Sequence, residues 1–123
     1  NITSAMVKNP HLIMGLSTSA RSGLHGLSKA LSREVAQFNI TINNLLPERI
    51  DTDRQTPILN FQAKLSDISY EESRKELEDS LTAKRMGTVE EFSGICTFLC
   101  SKQAAYISGQ NISVDGGNST NLI

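Results

Sequence analysis

The sequence predicts an α/β fold, a parallel sheet covered by helices, on three observations. Apolar residues at Ala20, Leu24, Leu27, Leu31 and Val35 recur at spacings of three and four over about residues 17–38, the period of an amphipathic helix. That helix leads within a residue or two into Ile40-Thr41-Ile42-Asn43-Asn44-Leu45-Leu46, a run rich in β-branched residues that ends at Pro47, as a buried strand does. The order then repeats. Thr88 with Glu91 three residues on makes a capping box that opens another helix, and Ile112 and Val114 alternate with Asn111 and Ser113 before Gly116-Gly117 ends the strand. A helix feeding a strand is half of a βαβ unit, and such units build parallel sheets.

Taken in order, residues 1–4 read as the last residues of a buried strand, so the chain reads as a fragment, a processed product or a form lacking its front half. Residues 5–16 hold Pro10 and Gly15 and no sustained period, which predicts a loop. Ser17, Thr18 and Ser19 are each able to cap the first turn of the long helix, and Asn39 is placed to stop it. Residues 55–84 alternate charge with scattered Leu, Ile and Phe, which predicts one or two short helices, the second over about residues 70–81. Glu71, Glu72 and Lys75 offer charge pairs on a solvated face there. The helix opened by Thr88 is expected to run to about Lys102 and to bury Phe92, Ile95, Cys96, Phe98 and Leu99.

A chain of 123 residues has length for one modest core, hence one domain or part of one. Twelve basic against thirteen acidic residues, with no long block of either sign, argue against nucleic acid or anionic lipid as partner. No apolar run approaches the roughly 18 to 20 residues that cross a bilayer, and no signal-peptide pattern opens the chain, so a cytoplasmic protein is expected. Cys96 and Cys100 lie a turn apart without the two-residue gap of a redox pair or a His pair for zinc. They read as two small buried hydrophobes. Asp51-Thr52-Asp53 lacks further ligands at useful spacing, so no metal site is expected.

Four stretches carry a family resemblance: Asn1-Ile2-Thr3-Ser4 with Ser17-Thr18-Ser19-Ala20-Arg21 thirteen residues beyond Ser4; Arg21-Ser22-Gly23-Leu24; Ile42-Asn43 through Pro47 to Thr52; and Arg85-Met86-Gly87-Thr88-Val89-Glu90-Glu91 followed by Tyr106-Ile107-Ser108-Gly109-Gln110 and Asp115-Gly116-Gly117. In this order they resemble the carboxyl-terminal half of a short-chain dehydrogenase/reductase, similar in motif order to bacterial 3-oxoacyl-carrier-protein reductases. The resemblance implies the second half of a Rossmann-like, doubly wound parallel sheet over residues 1–123. The whole protein would bind NAD or NADP and pass hydride between nicotinamide and a carbonyl or alcohol substrate. It would also form homo-oligomers, dimers or tetramers, through the helix at residues 17–38. Residues 55–84 would form the substrate lid. The glycine-rich phosphate turn of the family is not in this sequence, because Gly23-Leu24-His25-Gly26 falls inside a helix pattern and Gly116-Gly117 follows a strand.

By the same resemblance, Ser4 donates a hydrogen bond to the substrate oxygen. The position of the family's Tyr is taken by Ser17 and that of its Lys by Arg21. An aliphatic hydroxyl is far less acidic than a phenol with pKa of about 10, and a guanidinium essentially never deprotonates, so it relays protons poorly. Weakened acid–base chemistry is therefore expected, with Ser17 read also as a helix cap and Arg21 as a ribose contact or a surface residue. Pro47, Ile50 through its backbone and Thr52 through its hydroxyl match cofactor-contacting positions. Glu48 replaces the Gly that usually follows the Pro, and is expected to point to water. His11, in the loop between Ser4 and Ser17, stands where a substitute acid would be useful, although a lone loop His is more simply an exposed one. The alternative is a non-catalytic binding or assembly module that keeps the fold.

Overall fold

A computed structural model describes residues 1–122. Its sheet is parallel, with strand β1 (Asn44–Pro47) between the amino-terminal residues on one side and β2 (Asn111–Val114) on the other. Thr3 N–H donates to Leu45 C=O at 2.8 Å and Leu45 N–H to Asn1 C=O at 2.8 Å. Across the other edge Asn44 pairs with Asn111 and Pro47 with Val114. Three asparagine side chains cross this sheet in a row: Asn1 Nδ2 donates to Asn44 Oδ1 at 2.9 Å, and Asn44 Nδ2 donates to Asn111 Oδ1 at 2.7 Å. Asn44 is buried, so these two bonds satisfy an amide that would otherwise be costly to desolvate.

The strand expected over residues 40–46 joins the ladder only at Asn44. Before that point, Ile42 N–H donates to Ser108 Oγ at 3.2 Å and Ile42 C=O accepts from Gly109 N–H at 2.7 Å, so the chain is committed to the turn ahead of β2. Gly109 sits there at φ +69°, and a Cβ would meet Ser32 Oγ at 2.7 Å, which only glycine avoids. Residues 1–4 are less buried than expected: Thr3 is enclosed, while Ile2 is 65% exposed. Pro47 closes β1 where its missing N–H breaks no interior ladder bond.

Helix α1 (Gly15–Val35) begins earlier than predicted and ends in a 3₁₀ turn (Ala36–Phe38) that Asn39 stops in the left-handed region at φ 58°, as expected. Its N-cap is Met14, without a side-chain cap. Ser17, Thr18 and Ser19 lie inside the helix, so none of them caps it. Residues 5–16 are not a plain loop but include two 3₁₀ turns (Ala5–Val7 and Leu12–Met14). The leucines of α1 do not form its buried stripe. His25, Ser28 and Ser32 are the enclosed residues, whereas Leu24, Leu27 and Leu31 are 38, 64 and 44% exposed. The reason is steric: serines on the inner face let the helix lie close to the strands, as in the 3.0 Å bond from Asn1 Nδ2 to Ser28 Oγ.

Residues 48–110 connect β1 to β2 through three helices. Helix α2 (Gln55–Ser66) and α3 (Tyr70–Ser80) pack on each other around Leu59 and Ala63, and Ser73 Oγ donates to Leu59 C=O at 3.2 Å. The α3 bounds match the prediction within a residue. Glu72 serves in a capping box with Ser69, whose backbone N–H is the main cause that holds the Glu72 carboxyl below its ordinary range. Glu71 and Lys75 enter none of the ion pairs among the described residues, which are Arg74–Asp51, Arg74–Glu78 and Arg85–Glu91.

Helix α4 (Val89–Leu99) has the predicted capping box of Thr88 and Glu91. Hydrogen bonds from Arg85, then from the Thr88 backbone, push the Glu91 carboxyl down to about 2. The helix stops three residues short of Lys102, where Ser101 turns both its N–H and Oγ onto Phe98 C=O. The expected buried face is only partly covered: Phe92, Ile95, Cys96 and Leu99 are half-buried and Phe98 is exposed. Cys96 is half-buried and Cys100 exposed, so the pair is not the enclosed one predicted. Cys96, Leu99 and Cys100 open onto a trough of about 680 Å³ between this helix and the sheet, lined also by Ile2, Ile42 and Leu45.

Leu59, with 0% exposure, anchors the α2–α3 pair. Leu59→Ala is expected to cost about 2–5 kcal/mol, the range for deleting an enclosed leucine side chain, read as a lower urea midpoint by circular dichroism.

Candidate active site

Asn1 Nδ2 bonds Ser28 on α1, and Thr3 Oγ1 lies 2.8 Å from His25 Nε2, so the amino-terminal strand runs against α1 in the opposite direction. A strand advances about 3.3 Å per residue and a helix about 1.5 Å. The strand thereby runs toward the Arg21 end of the helix and stops at Ser4, ahead of the 3₁₀ turn Ala5–Val7. Ser4 Oγ accepts from Met6 N–H at 3.2 Å and so caps the first 3₁₀ turn. It makes no hydrogen bond to Ser17 or Arg21 among the described residues.

Ser17 and Arg21 are brought together. They are one turn apart on α1, and Arg21 Nη1 donates to Ser17 C=O at 3.2 Å and contacts Ser17 Oγ more closely still. The guanidinium is half-buried and forms no ion pair among the described residues, so its charge is directed at the serine hydroxyl. With an N–H donor on its oxygen, that hydroxyl keeps its own proton free to donate outward. It is a hydrogen-bond donor with no side-chain base on it.

His25 was not singled out by its sequence position, yet it lies one turn beyond Arg21 on the same helical face. The Thr3 hydroxyl donates to Leu45 C=O at 3.3 Å and is left to accept from His25 Nε2–H, while His25 Nδ1 is buried without a partner. Burial first, then the charge of Lys8, lower the imidazole below its ordinary value. The neutral ring thus ties the strand that ends in Ser4 to the helix that holds Arg21.

At the carboxyl edge of the sheet, Pro47 ends β1 beside Val114. Ile50 bridges to Gly87, its N–H donates to Glu48 C=O at 3.1 Å, and its C=O accepts from Gln55 Nε2 at 3.1 Å. Thr52 is exposed. Glu48 does not point to water as expected: it is half-buried and Oε1 accepts from Asn118 Nδ2 at 2.8 Å, which draws the carboxylate toward the turn after β2. Asp51 is engaged by Arg74 and not by Asp53. His11 is exposed. Among the described residues no cluster of three or more His, Cys, Asp or Glu could hold a metal ion, and no helix is long and apolar enough to cross a membrane.

Residues 2–119 match the family described as Enoyl-(Acyl carrier protein) reductase. The chain belongs to the short-chain dehydrogenase/reductase family. It is similar to the NADPH-dependent reductase BacG of Bacillus subtilis, with 35% identity over 96% of this chain and 46% of the relative. It also resembles the 3-oxoacyl-[acyl-carrier-protein] reductase FabG of Chlamydia muridarum, 41% identical over 80% of this chain and 36% of the relative. Among solved structures, YwfH, an NADPH-dependent reductase involved in bacilysin biosynthesis, superposes with a TM-score of 0.89 at 32% identity, over 99% of this chain and 46% of that one. L-sorbose reductase of Gluconobacter frateurii, solved with NADPH and L-sorbose, gives 0.90 at 26%, over 98% of this chain and 46% of that one. This chain therefore spans under half the length of these relatives. Their family is one of nicotinamide-dependent oxidoreductases, and the fold is the Rossmann-like one that the motifs implied.

The lowered pKa of His25 makes its neutral form part of the folded state. Because folding depresses this base below 6.5, the unfolded chain binds the proton first, and stability falls as pH drops from 6.5 toward the folded value. His25→Gln is expected to flatten that slope, measured as the difference in urea midpoint between variant and parent from about pH 7.5 down to about pH 5.5.

Proposed function

We propose that this chain forms the substrate-side half of an NAD(P)-dependent oxidoreductase acting on a carbonyl or alcohol carbon, with acid–base chemistry weaker than is usual in its family. The observation that carries the reading is the Arg21–Ser17 contact at the positions of the family's Lys and Tyr. A bound nicotinamide supplies or accepts the hydride. Ser4 and Ser17 offer hydroxyl protons to the substrate oxygen, and Arg21 places a permanent positive charge where negative charge collects on that oxygen. An aliphatic hydroxyl and a guanidinium are both poor proton donors compared with a phenol and an ammonium. Loss of a positioned acid–base group typically lowers a rate by about a hundred- to ten-thousand-fold.

Several features support a fit to the nicotinamide end of a dinucleotide. Arg21 has no carboxylate partner among the described residues, the Thr52 hydroxyl is open to solvent, and Glu48, where the family resemblance implies glycine, is held by Asn118. Pro47 and Ile50 stand at the sheet's carboxyl edge, where ligands of such folds bind. No glycine-rich phosphate cradle occurs among the described residues, so these 123 residues alone are expected to bind dinucleotide weakly. The outward row of Leu24, Leu27 and Leu31 supports association with a second copy through α1. The same row also favours the rival reading, a non-catalytic assembly module.

Fluorescence titration of NADPH and NADH against the protein encoded by the complete reading frame separates the two. Binding with slow turnover of carbonyl substrates is expected, and absence of binding favours the module. In a protein that binds cofactor, Ser17→Tyr together with Arg21→Lys is expected to raise turnover by about a hundred-fold or more. An unchanged rate in the double variant counts against the catalytic frame.

A further inference from the structure

The segment that carries Ile50 and Thr52 is fastened to the α2–α3 pair from both ends. Gln55, the first residue of α2, donates through Nε2 to Ile50 C=O at 3.1 Å. Arg74, in the middle of α3, grips Asp51 with two nitrogens: Nη2 to Oδ2 at 2.5 Å and Nη1 to Oδ1 at 3.3 Å. Its third donor, Nε, is spent on Glu78 Oε1 at 3.0 Å, which fixes the plane of the guanidinium along its own helix. Among the described residues, Arg74 and Glu72 are the α3 side chains that hydrogen-bond outside the α2–α3 pair, and Glu72 reaches only Ser69, the cap of its own helix. The other side of the segment is pinned to a different part of the fold, with Asp51 N–H donating to Gly87 C=O at 2.8 Å and Gly87 N–H to Arg49 C=O at 2.9 Å.

We propose that Arg74 is a positioning residue, whose two-point grip on Asp51 makes the segment from Ile50 to Thr52 and the α2–α3 pair move as one body. The proposal rests on the functional reading above in taking that segment as cofactor-facing and the helix pair as substrate-facing. The geometry favours alignment over stability as the purpose. Arg74 and Asp51 side chains are 34 and 41% exposed, and ion pairs this open contribute little to folding. A planar fork on a carboxylate nevertheless fixes direction as well as distance. Asp51 lies between Ile50 and Thr52 in sequence, so any rotation of α3 about α2 is transmitted to both neighbours. Lysine would supply a point charge without the fork.

The test uses the protein encoded by the complete reading frame, with Arg74→Gln, Arg74→Lys and the exchanged pair Asp51→Arg with Arg74→Asp. Hydrogen–deuterium exchange without cofactor is followed over residues 50–53 and 70–80, and NADPH dissociation constants are measured by fluorescence. Arg74→Gln is expected to speed exchange in both segments together and to weaken NADPH binding by about 2- to 5-fold, the effect a part-exposed ion pair can exert. Arg74→Lys should recover part of each effect and the exchanged pair more. The proposal is overturned if Arg74→Gln speeds exchange over residues 70–80 alone, or leaves NADPH affinity unchanged in a protein whose parent binds it. If the parent binds no NADPH, the functional reading fails, and the exchange data still decide whether the two segments are coupled.

Discussion

The row of amides from Asn1 through Asn44 to Asn111 is the constraint from which the rest of the architecture follows. Parallel strands are brought together by connections that do not themselves dictate register, and a slip of one residue reverses every side chain. Here a slip would leave the buried Asn44 amide without its partners, at a cost of about 1–3 kcal/mol for each group stranded. The amides therefore set which residues reach the sheet's carboxyl edge. Pro47 and Val114 end their strands together, and the amino-terminal strand is held to α1 by Thr3 and His25.

Above that frame, α1 reverses the usual assignment of faces. Its serines and His25 lie against the strands and its leucines lie outward. A polar inner face is tolerable because each enclosed residue has a nearby backbone or side-chain partner: Ser28 takes Asn1, Ser32 bonds the Lys29 carbonyl, and His25 takes Thr3 through Nε2, with Nδ1 left unpaired. The helix consequently holds a charged residue, Arg21, one turn from a buried imidazole that is anchored through Nε2 alone. The same helix brings the guanidinium onto Ser17, so the chemistry proposed for the site follows from how the helix is packed.

Local signals read well from the sequence, and long-range ones did not. The span of α3, the Thr88–Glu91 capping box, the left-handed stop at Asn39 and the span of β2 each depend on neighbours within a few residues. The pairing of Ser17 with Arg21 is likewise implied by their spacing of four. Periodicity identified the leucine stripe of α1 but could not say what covers it, because a period reports that one face is apolar and not where the sheet lies. Cys96 and Cys100 were misjudged for the same reason. Thr3 with His25 and Asp51 with Arg74 join residues 22 and 23 positions apart, and no local pattern in either stretch announces the partner. The frame around Ser4 came from motif order, and the structure shows Ser4 Oγ capping the first 3₁₀ turn.

The placement of β2 beyond three helices that follow β1 has a kinetic consequence. Its hydrogen-bonding partner, β1, emerges during synthesis long before residues 111–114 exist, and three intervening helices are made first. On the ribosome, Asn44 can meet Asn1 early, but one side of its strand stays without a neighbour until β2 has been made. Contacts so far apart in sequence close slowly. The nascent chain thus passes through a stage in which one polar edge of β1 stays bare until residues 111–114 arrive.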